Sequence, residues 1–489
     1  MEAWGDPVSR ADRPNLGRDT LAGLPEQVRR PGHDRTDAVG IVHFGPGAFH
    51  RAHQAAYVDT VLDSDPRWGI AAVSMRSRGT VEALAAQDGL YTLAIRDAEP
   101  EHRIIDTHRR FLAPDAADET RALLASDAVG LVTTTVTEKG YCLSPDGTLD
   151  MDHADIVHDL RQPEVPRSVV GWIAEGLAAR RSAGLRPFVP MPCDNLAANG
   201  PKLHAALVAY ARASDAGLAD WIEGEVRVPS TMVDSITPAS DEAFLGDVAA
   251  VLAVEDRAAV QREAFAQWVI EDVGVPLGPD LAAAGATVTG DVAGYEKAKL
   301  RILNGAHSTL AYLGLLRGHE SVFEAMNDPA LAGFVEAMIR DEIIPMLPAV
   351  AGLDLHAYAG DVLGRFRNPA IIHRLDQIAQ DGSQKLPYRL GDTLAANRAA
   401  GRLPAHVVGA LGAWVAFLVR RAGTGTPIID PMGERLATLA RGGDAASLVD
   451  ALVQAGIGLP HETANDPAIA IAVKHAAARA MTGELPLTL

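Results

Sequence analysis

Cysteine is nearly absent from this chain, and so are the other marks of a cross-linked or membrane-bound protein. Only Cys142 and Cys193 occur among 489 residues, which excludes a disulfide framework and a zinc ribbon. No run of about 18 apolar residues is visible, so the sequence predicts no membrane span. The N-terminus has no apolar segment of the kind found in secretory signals. We therefore expect a cytoplasmic protein.

Positive charge is also scarce. Lys and Arg number 44 against 63 Asp and Glu, a formal net charge of −19, which argues against nucleic acid as a main partner. A small anionic substrate is still compatible with this charge, because a pocket can be locally basic. The composition, 48% hydrophobic and 22% charged, is that of an ordinary globular protein. A chain of 489 residues is too long for one core, so two or three domains are expected.

The order of apolar and helical segments divides the chain into an arm and two domains. Residues 1–36, rich in Arg, Asp, Pro and Gly, are interpreted as a loosely ordered arm with short helical pieces. Residues 37–288 alternate strand and helix patterns, which predicts an α/β domain with a mostly parallel, doubly wound sheet. Residues 289–489 are dominated by helical periodicity and predict a mostly α-helical domain. The expected strands are 38–44, 69–74, 131–136 and 187–191, and the expected helices include 168–184, 200–213, 295–317, 328–347, 405–421 and 466–482.

A short glycine motif follows the first predicted strand. Gly45 and Gly47 allow a tight turn and a close approach of the backbone to a pyrophosphate at a helix N-terminus. The motif continues through Phe49 to His50, where the third glycine of a dinucleotide fingerprint would stand. A plain strand-to-helix turn fits the pattern as well as a cofactor loop does. His50 and His53 are three residues apart and raise the question of a metal site, but capping or packing fits them better.

Two arginines follow the second predicted strand. An acid at this place would bind the adenosine ribose of NAD, but the segment carries Arg76 and Arg78. The pattern favours tolerance of the 2′-phosphate of NADP, and solvated loop arginines are the alternative.

The most informative segment brings together a lysine, an asparagine and a histidine. Lys299, Asn304 and His307 lie in a stretch with helical flanks, five and three residues apart. An amine, an amide and an imidazole on roughly one face suit proton removal from a hydroxyl and stabilisation of an alkoxide. Farther upstream, Asn195 follows the strand at 187–191 and offers a second amide. A solvated lysine, with asparagines and a histidine used in caps, turns or packing, is the alternative interpretation of these residues.

Seven blocks in a fixed order resemble the polyol-specific long-chain dehydrogenases, the family that includes mannitol 2-dehydrogenases and fructuronate reductases. The resemblance covers residue 38 to the C-terminus, and the blocks are highly specific when taken together. They are residues 45–54, 135–142, 193–200, 232–234, 267–272, 299–307 and 381–387. The resemblance implies a Rossmann-type N-terminal domain, a helical C-terminal domain, NAD or NADP as cofactor and hydride transfer without a metal. It also favours a monomer.

The resemblance also implies the role of each catalytic residue. Lys299 would be the general acid/base, and Asn195 and Asn304 would form the oxyanion hole. His307 would orient the substrate hydroxyls, and Glu296, one helical turn before Lys299, would lie on the proton path. A free lysine has a pKa of about 10.4, which is too high for a base at neutral pH. Burial and the nicotinamide cation are expected to lower the pKa of Lys299.

The substrate is expected to be a small sugar acid or polyol. By the resemblance, Asp234 and Lys385 would line its pocket. The segment from His373 to Pro387, with Arg374 and Gln377, looks like that of fructuronate reductases, and an added cation suits a carboxylate. We therefore expect interconversion of D-mannonate and D-fructuronate, with D-mannitol and D-fructose as the alternative pair. Ser235 departs from the family, which usually carries arginine there.

Overall fold

The computed structural model describes residues 13–486, which divide between two compact units, Met1–Val292 and Ala293–Leu489. The first unit is α/β. Its strands are β1 Val28–Arg29, β2 Ile41–Phe44, β3 Ile70–Val73, β4 Tyr91–Arg96, β5 Glu101–Ile105, β6 His108–Leu112, β7 Leu131–Thr134, β8 Val189–Pro192, β9 Thr231–Asp234, β10 Val260–Glu263, β11 Gln267–Glu271 and β12 Thr287–Thr289. Its helices are α1 Ala48–Ala52, α2 Gln54–Leu62, α3 Gly79–Ala85, α4 Ala117–Ala125, α5 Ala154–Arg161, α6 Val169–Ser182, α7 Asn199–Ser214, α8 Ala216–Glu225 and α9 Glu242–Leu252.

A five-stranded parallel sheet forms the centre of this unit, in the order β6-β3-β2-β7-β8. Its middle strands β2, β3 and β7 are fully buried, as expected for a parallel sheet covered by helices on both faces. The chain runs outward in one direction from β2 to β6 and in the other from β7 to β8. The crevice beyond the carboxyl ends of β2 and β7 is therefore the topological switch point, where such sheets bind ligands. The predicted Rossmann-type domain is confirmed.

Two smaller sheets, of order β1-β5-β4-β10 and β12-β11-β9, are absent from the sequence prediction. β1 lies within the predicted arm and pairs in parallel with β5. Leu16 and Val28 are buried, and Arg18 donates two hydrogen bonds to the carboxylate of Asp106. Residues 13–36 are therefore an ordered part of the first unit, and the expectation of loose ordering is wrong for them.

The second unit is built of helices, as predicted. After α10 (Val292–Ala298), which spans the division, its helices are α11 Gly305–Arg317, α12 Val322–Asn327, α13 Pro329–Ala337, α14 Leu355–Phe366, α15 Leu375–Ile378, α16 Gly382–Leu386, α17 Asp392–Ala399, α18 Ala405–Thr424, α19 Gly433–Ala440, α20 Ala445–Ala455, α21 His461–Asn465 and α22 Pro467–Met481. Three π-helical segments interrupt them, at Lys299–Asn304, Met338–Ile343 and Pro387–Gly391.

Helix α18 forms much of the core of the second unit. By length and composition alone it is apolar enough to cross a membrane, with a mean hydropathy of 1.3, although 67% of that window is buried inside the protein. A Cβ atom built at Gly412 would lie 2.6 Å from the Cβ of Ala476, so glycine allows α18 to pack closely on α22. The role of a core helix accounts for the apolar composition of α18.

Candidate active site

The glycine loop lies at the switch point of the parallel sheet. Gly45 follows β2 with φ of +88°, and a Cβ atom there would lie 2.4 Å from the carbonyl oxygen of Thr135, which follows β7. Glycine is required at this position for both reasons. At Gly47 a Cβ atom would find no heavy atom nearer than Gly45 O, 3.9 Å away. Gly47 is exposed and precedes α1, so its surface is open to a dinucleotide.

Three buried histidines, His43, His50 and His108, pack together next to the glycine loop. His43 Nε2 lies 3.1 Å from Gly45 O, and Nδ1 lies 2.7 Å from the hydroxyl oxygen of Thr133. Because a carbonyl only accepts, Nε2 carries the proton. The ring of His50 stacks on His43 at 3.4 Å and its Nε2 lies 3.1 Å from Nε2 of His108. Burial lowers the pKa of His43 to about 3 and those of His50 and His108 well below the usual value.

The packing expected for His50 is what the structure shows, and its place in the cofactor loop stays a prediction. Its imidazole is 1% exposed and packs inside the unit, which leaves only its backbone N–H in the first turn of α1. Phe49 is half-buried and its ring stacks on His53 at 5.0 Å. His53 Nε2 lies 2.9 Å from the carbonyl oxygen of Gln267, so packing also occupies this histidine.

Arg76 and Arg78 lie on the surface after β3, the second strand of the parallel sheet along the chain. Their side chains are 78% and 52% exposed, and they pair with Asp155 at 3.8 Å and Asp115 at 2.7 Å. Both aspartates belong to other segments of the chain. The residues that directly follow β3 therefore contribute positive charge at this position. The hydroxyl of Ser74 donates to Ser77 O at 2.5 Å and shapes the turn that carries them.

Asn195 lies in the turn between β8 and α7, and it is exposed. The neighbouring Asp194 accepts a short hydrogen bond from the buried hydroxyl of Tyr141 and another from Leu196 N at 3.1 Å. Asn199, which begins α7, is the asparagine with the structural role. Its side chain donates to Thr231 O at 3.0 Å and accepts from Thr231 N at 2.9 Å. The ligand role of the exposed Asn195 stays a prediction.

Asp234 ends β9 and is buried, at 4% exposure. The hydroxyl of the next residue, Ser235, donates to the carbonyl oxygen of Phe265 at 2.9 Å. A serine therefore supports the β9–β11 connection from within, at the position where the sequence departs from the family pattern.

In the second unit, the helix is distorted at the very segment that carries the predicted catalytic residues. Lys299–Asn304 is a π-helix between α10 and α11, and π-turns inside helices occur frequently at functional sites. In an α-helix, residues five apart lie about 140° apart around the axis. In a π-turn the hydrogen bond joins residues five apart, whereas in an α-helix it joins residues four apart. Asn304, five residues after Lys299, therefore lies above Lys299 on the same side of the helix. The distortion aligns the amine and the amide.

His307 follows one turn later, in a wall of rings. Its imidazole stacks on Phe366 at 4.4 Å and meets His373 edge-on at 5.4 Å. Its Nε2 is buried without a hydrogen-bond partner among the described residues. Burial lowers the pKa of His307 well below its usual value, and the nearby His373 and Arg365 act in the same direction. The ring is therefore neutral. A bound ligand could supply the hydrogen bond that Nε2 lacks among the described residues.

The two cations predicted to meet the substrate are both held by neighbouring acceptors. The guanidinium of Arg374 donates to both carboxylate oxygens of Asp376 at 3.1 Å, and its side chain is 55% exposed. The substrate role of Arg374 stays a prediction. Lys385 Nζ donates to Gln380 O at 2.9 Å and lies 3.3 Å from Asp381, with its side chain 25% exposed.

Arg365 and Arg389 are the arginines that act electrostatically on His307, and the sequence analysis missed both. Arg365 is half-buried beside Phe366 at the end of α14, and Arg389 donates to the hydroxyl of Ser308 at 3.0 Å. Glu296 is half-buried in α10, one turn before Lys299.

The glycine loop at the switch point is typical of a dinucleotide-binding domain. Residues 39–279 match the family model "Mannitol dehydrogenase Rossmann domain", and residues 291–479 match "Mannitol dehydrogenase C-terminal domain". The chain belongs to the mannitol dehydrogenase family. It is a dehydrogenase, as the sequence resemblance predicted.

Individual relatives extend over most of the chain. D-mannonate oxidoreductase of Escherichia coli (strain K12) is 41% identical over 416 residues, which cover 83% of this chain and 86% of that protein. Polyol:NADP oxidoreductase of Gluconobacter oxydans (strain 621H) is 37% identical over 381 residues, covering 76% and 78%. The solved structure of Pseudomonas fluorescens mannitol 2-dehydrogenase, a ternary complex with NAD and D-mannitol, has a TM-score of 0.81 and 34% identity, covering 96% of each chain.

Proposed function

We propose that this protein interconverts D-mannonate and D-fructuronate with NAD or NADP, using Lys299 as acid/base and no metal ion in the reaction. The relative that bears the name D-mannonate oxidoreductase supports the sugar acid as substrate. The alternative is the D-mannitol and D-fructose pair, which the mannitol 2-dehydrogenase complex supports. The cofactor choice is left between NAD and NADP, because exposed Arg76 and Arg78 suit a 2′-phosphate and relatives of both kinds are similar to this chain.

The π-helix at Lys299–Asn304 is the observation that carries the proposal. It aligns an amine with an amide on one face, and both side chains are half-buried. A neutral amide donates to a developing alkoxide without competing for its proton. Such an alignment suits alcohol oxidation.

The residues act as follows when the alcohol is oxidised. Neutral Lys299 accepts the proton of the substrate hydroxyl at Nζ, while the carbon loses hydride. The oxidised nicotinamide ring, when bound, supplies the hydride acceptor. Asn304 and Asn195 donate amide N–H groups to the substrate oxygen while it carries negative charge. In ketone reduction the same lysine, protonated, returns the proton to the oxygen.

His307 orients the substrate in this proposal. Its ring is fixed between Phe366 and His373, so the buried Nε2 has a defined direction. Because the depressed pKa of His307 keeps the ring neutral, it binds a substrate hydroxyl by hydrogen bonding and adds no positive charge beside Lys299.

Replacement of Lys299 tests the proposal. Lys299→Ala is expected to lower kcat by at least about 10²-fold, the usual scale for an acid–base group, while cofactor binding persists. Lys297→Ala is the matched control, because Lys297 lies on the same helical segment and is exposed. Turnover of Lys299→Ala close to that of Lys297→Ala would remove Lys299 from the mechanism.

A further inference from the structure

A second chemical cluster lies in the first unit, among residues that the proposed reaction does not use. Cys142, His153 and Asp155 each offer one ligand atom, and these three atoms lie within 4.8 Å of one another. The segment that joins them is a closed loop. Asp150 N donates to Cys142 O at 2.9 Å, and Leu143 and Leu149 form an antiparallel bridge. Backbone pairing thus brings Cys142 close to side chains that follow it by eleven and thirteen residues in the sequence.

Acidic residues dominate the surroundings of the thiol. The pKa of Cys142 is raised to about 11, mainly by burial and then by Asp155, Asp159 and Asp150, while Arg76 acts in the opposite direction. A site in which carboxylates outnumber the nearby cation attracts positive charge. Thiolate, imidazole and carboxylate are together the ligands that Zn²⁺ takes in proteins.

We propose that Cys142, His153 and Asp155 bind one zinc-type divalent cation, with water as the fourth ligand. On binding, the S–H bond breaks, its proton passes to solvent, and the sulfur forms a bond to the metal. His153 Nδ1 accepts a hydrogen bond from Asp155 N at 3.2 Å as the cap of α5, so the imidazole is held beside Asp155. We propose no part for this cation in hydride transfer.

The site is also linked to a predicted cofactor residue. Asp155 is the carboxylate that pairs with Arg76 at 3.8 Å. A bound cation coordinates the Asp155 carboxylate and so breaks its ion pair with Arg76.

Cobalt titration of the purified full-length protein tests the proposal. Co²⁺ is expected to bind with a stoichiometry of about one per chain and to give a thiolate-to-cobalt charge-transfer band that Zn²⁺ abolishes by displacement. Cys142→Ser should lose the band, and Asp155→Asn should weaken binding by at least about tenfold. Cys193→Ser is the matched control, because Cys193 is the other buried cysteine and should leave the band unchanged.

Two results would overturn the site. One is the absence of a charge-transfer band in the unmodified protein at millimolar Co²⁺. The other is retention of the band in Cys142→Ser. Circular dichroism of each variant confirms that it is folded, and His153→Gln provides a second measurement if Cys142→Ser fails to fold.

Discussion

Alanine at Gly45 should lower stability and alanine at Gly47 should weaken cofactor binding, although the two glycines are only two residues apart. Gly45 has φ of +88°, a conformation that costs an L-residue about 1–2 kcal/mol. Its Cβ would also lie 2.4 Å from Thr135 O, where ordinary contact begins at 3.4 Å, so the two strand ends must separate by about 1 Å. Overpacking of this kind costs about 1–3 kcal/mol. The expected loss in the free energy of unfolding for Gly45→Ala is thus about 2–5 kcal/mol.

Gly47→Ala should leave stability nearly unchanged. Gly47 has φ of −69°, and the nearest atom to its Cβ is 3.9 Å away, so neither strain nor overlap results. The added methyl group instead stands where a pyrophosphate would approach the backbone. We expect the dissociation constant for the reduced cofactor to rise by roughly tenfold or more, about 1.4 kcal/mol.

Thermal denaturation and fluorescence titration with NADH and NADPH separate the two effects. On the scale of about 2–4 °C per kcal/mol, Gly45→Ala should melt several degrees below the unmodified protein. Gly47→Ala should melt within about 1 °C of it and bind cofactor weakly. A Gly45→Ala protein of unchanged stability would refute the steric reasoning, and a Gly47→Ala protein with unchanged affinity would refute the assignment of the cofactor loop.

Two further predictions concern the buried histidines of the first unit and the two cations predicted to meet the substrate. Burial lowers the pKa values of His43, His50 and His108, to about 3 for His43, against about 6.5 when unfolded. The unfolded state therefore binds more protons below pH 6.5, so stability is fully present above pH 6.5 and falls by up to about 1.4 kcal/mol per pH unit for each histidine as the pH is lowered. Urea denaturation at pH 7 and at pH 5 measures this loss of stability. Equal urea midpoints at the two pH values would contradict the prediction. Arg374→Ala should change kcat/KM for D-fructuronate by less than about threefold, since its side chain is 55% exposed and water screens its charge. Lys385→Ala should lower kcat/KM by about tenfold or more, since the Lys385 side chain is only 25% exposed, although it too has a carboxylate neighbour, Asp381. A loss of about tenfold in Arg374→Ala would instead support the substrate role predicted for that arginine.

Local patterns were sufficient to predict the main fold. The strands at Ile41–Phe44, Ile70–Val73 and Leu131–Thr134 are short apolar runs between turn signals, and the long helices have clear periodicity. The two smaller sheets depend on pairing between distant segments, as in the contact of Val28–Arg29 with β5. Two-residue strands leave no periodic pattern, so the sequence gives no signal for them.

The candidate site was predictable in its residue types but not in its geometry. The spacing of Lys299 and Asn304 suits one helix face only if the helix takes a π-turn, and six residues are too few for periodicity to reveal one. The burial of His50 depends on His43 and His108, which come from β2 and β6, two strands separated by β3 in the sheet. Arg365 approaches His307 through the packing of α14, which no local motif records.

Ketone reduction by the purified protein tests the central proposal most directly. Initial rates with D-fructuronate and D-fructose, each with NADH and NADPH, give kcat/KM for every pair. We predict a preference for D-fructuronate of at least about tenfold with the better cofactor, the scale of one charge-assisted contact. A preference for D-fructose would contradict the sugar-acid assignment and make the alternative pair the substrate, and activity with neither ketone would contradict both.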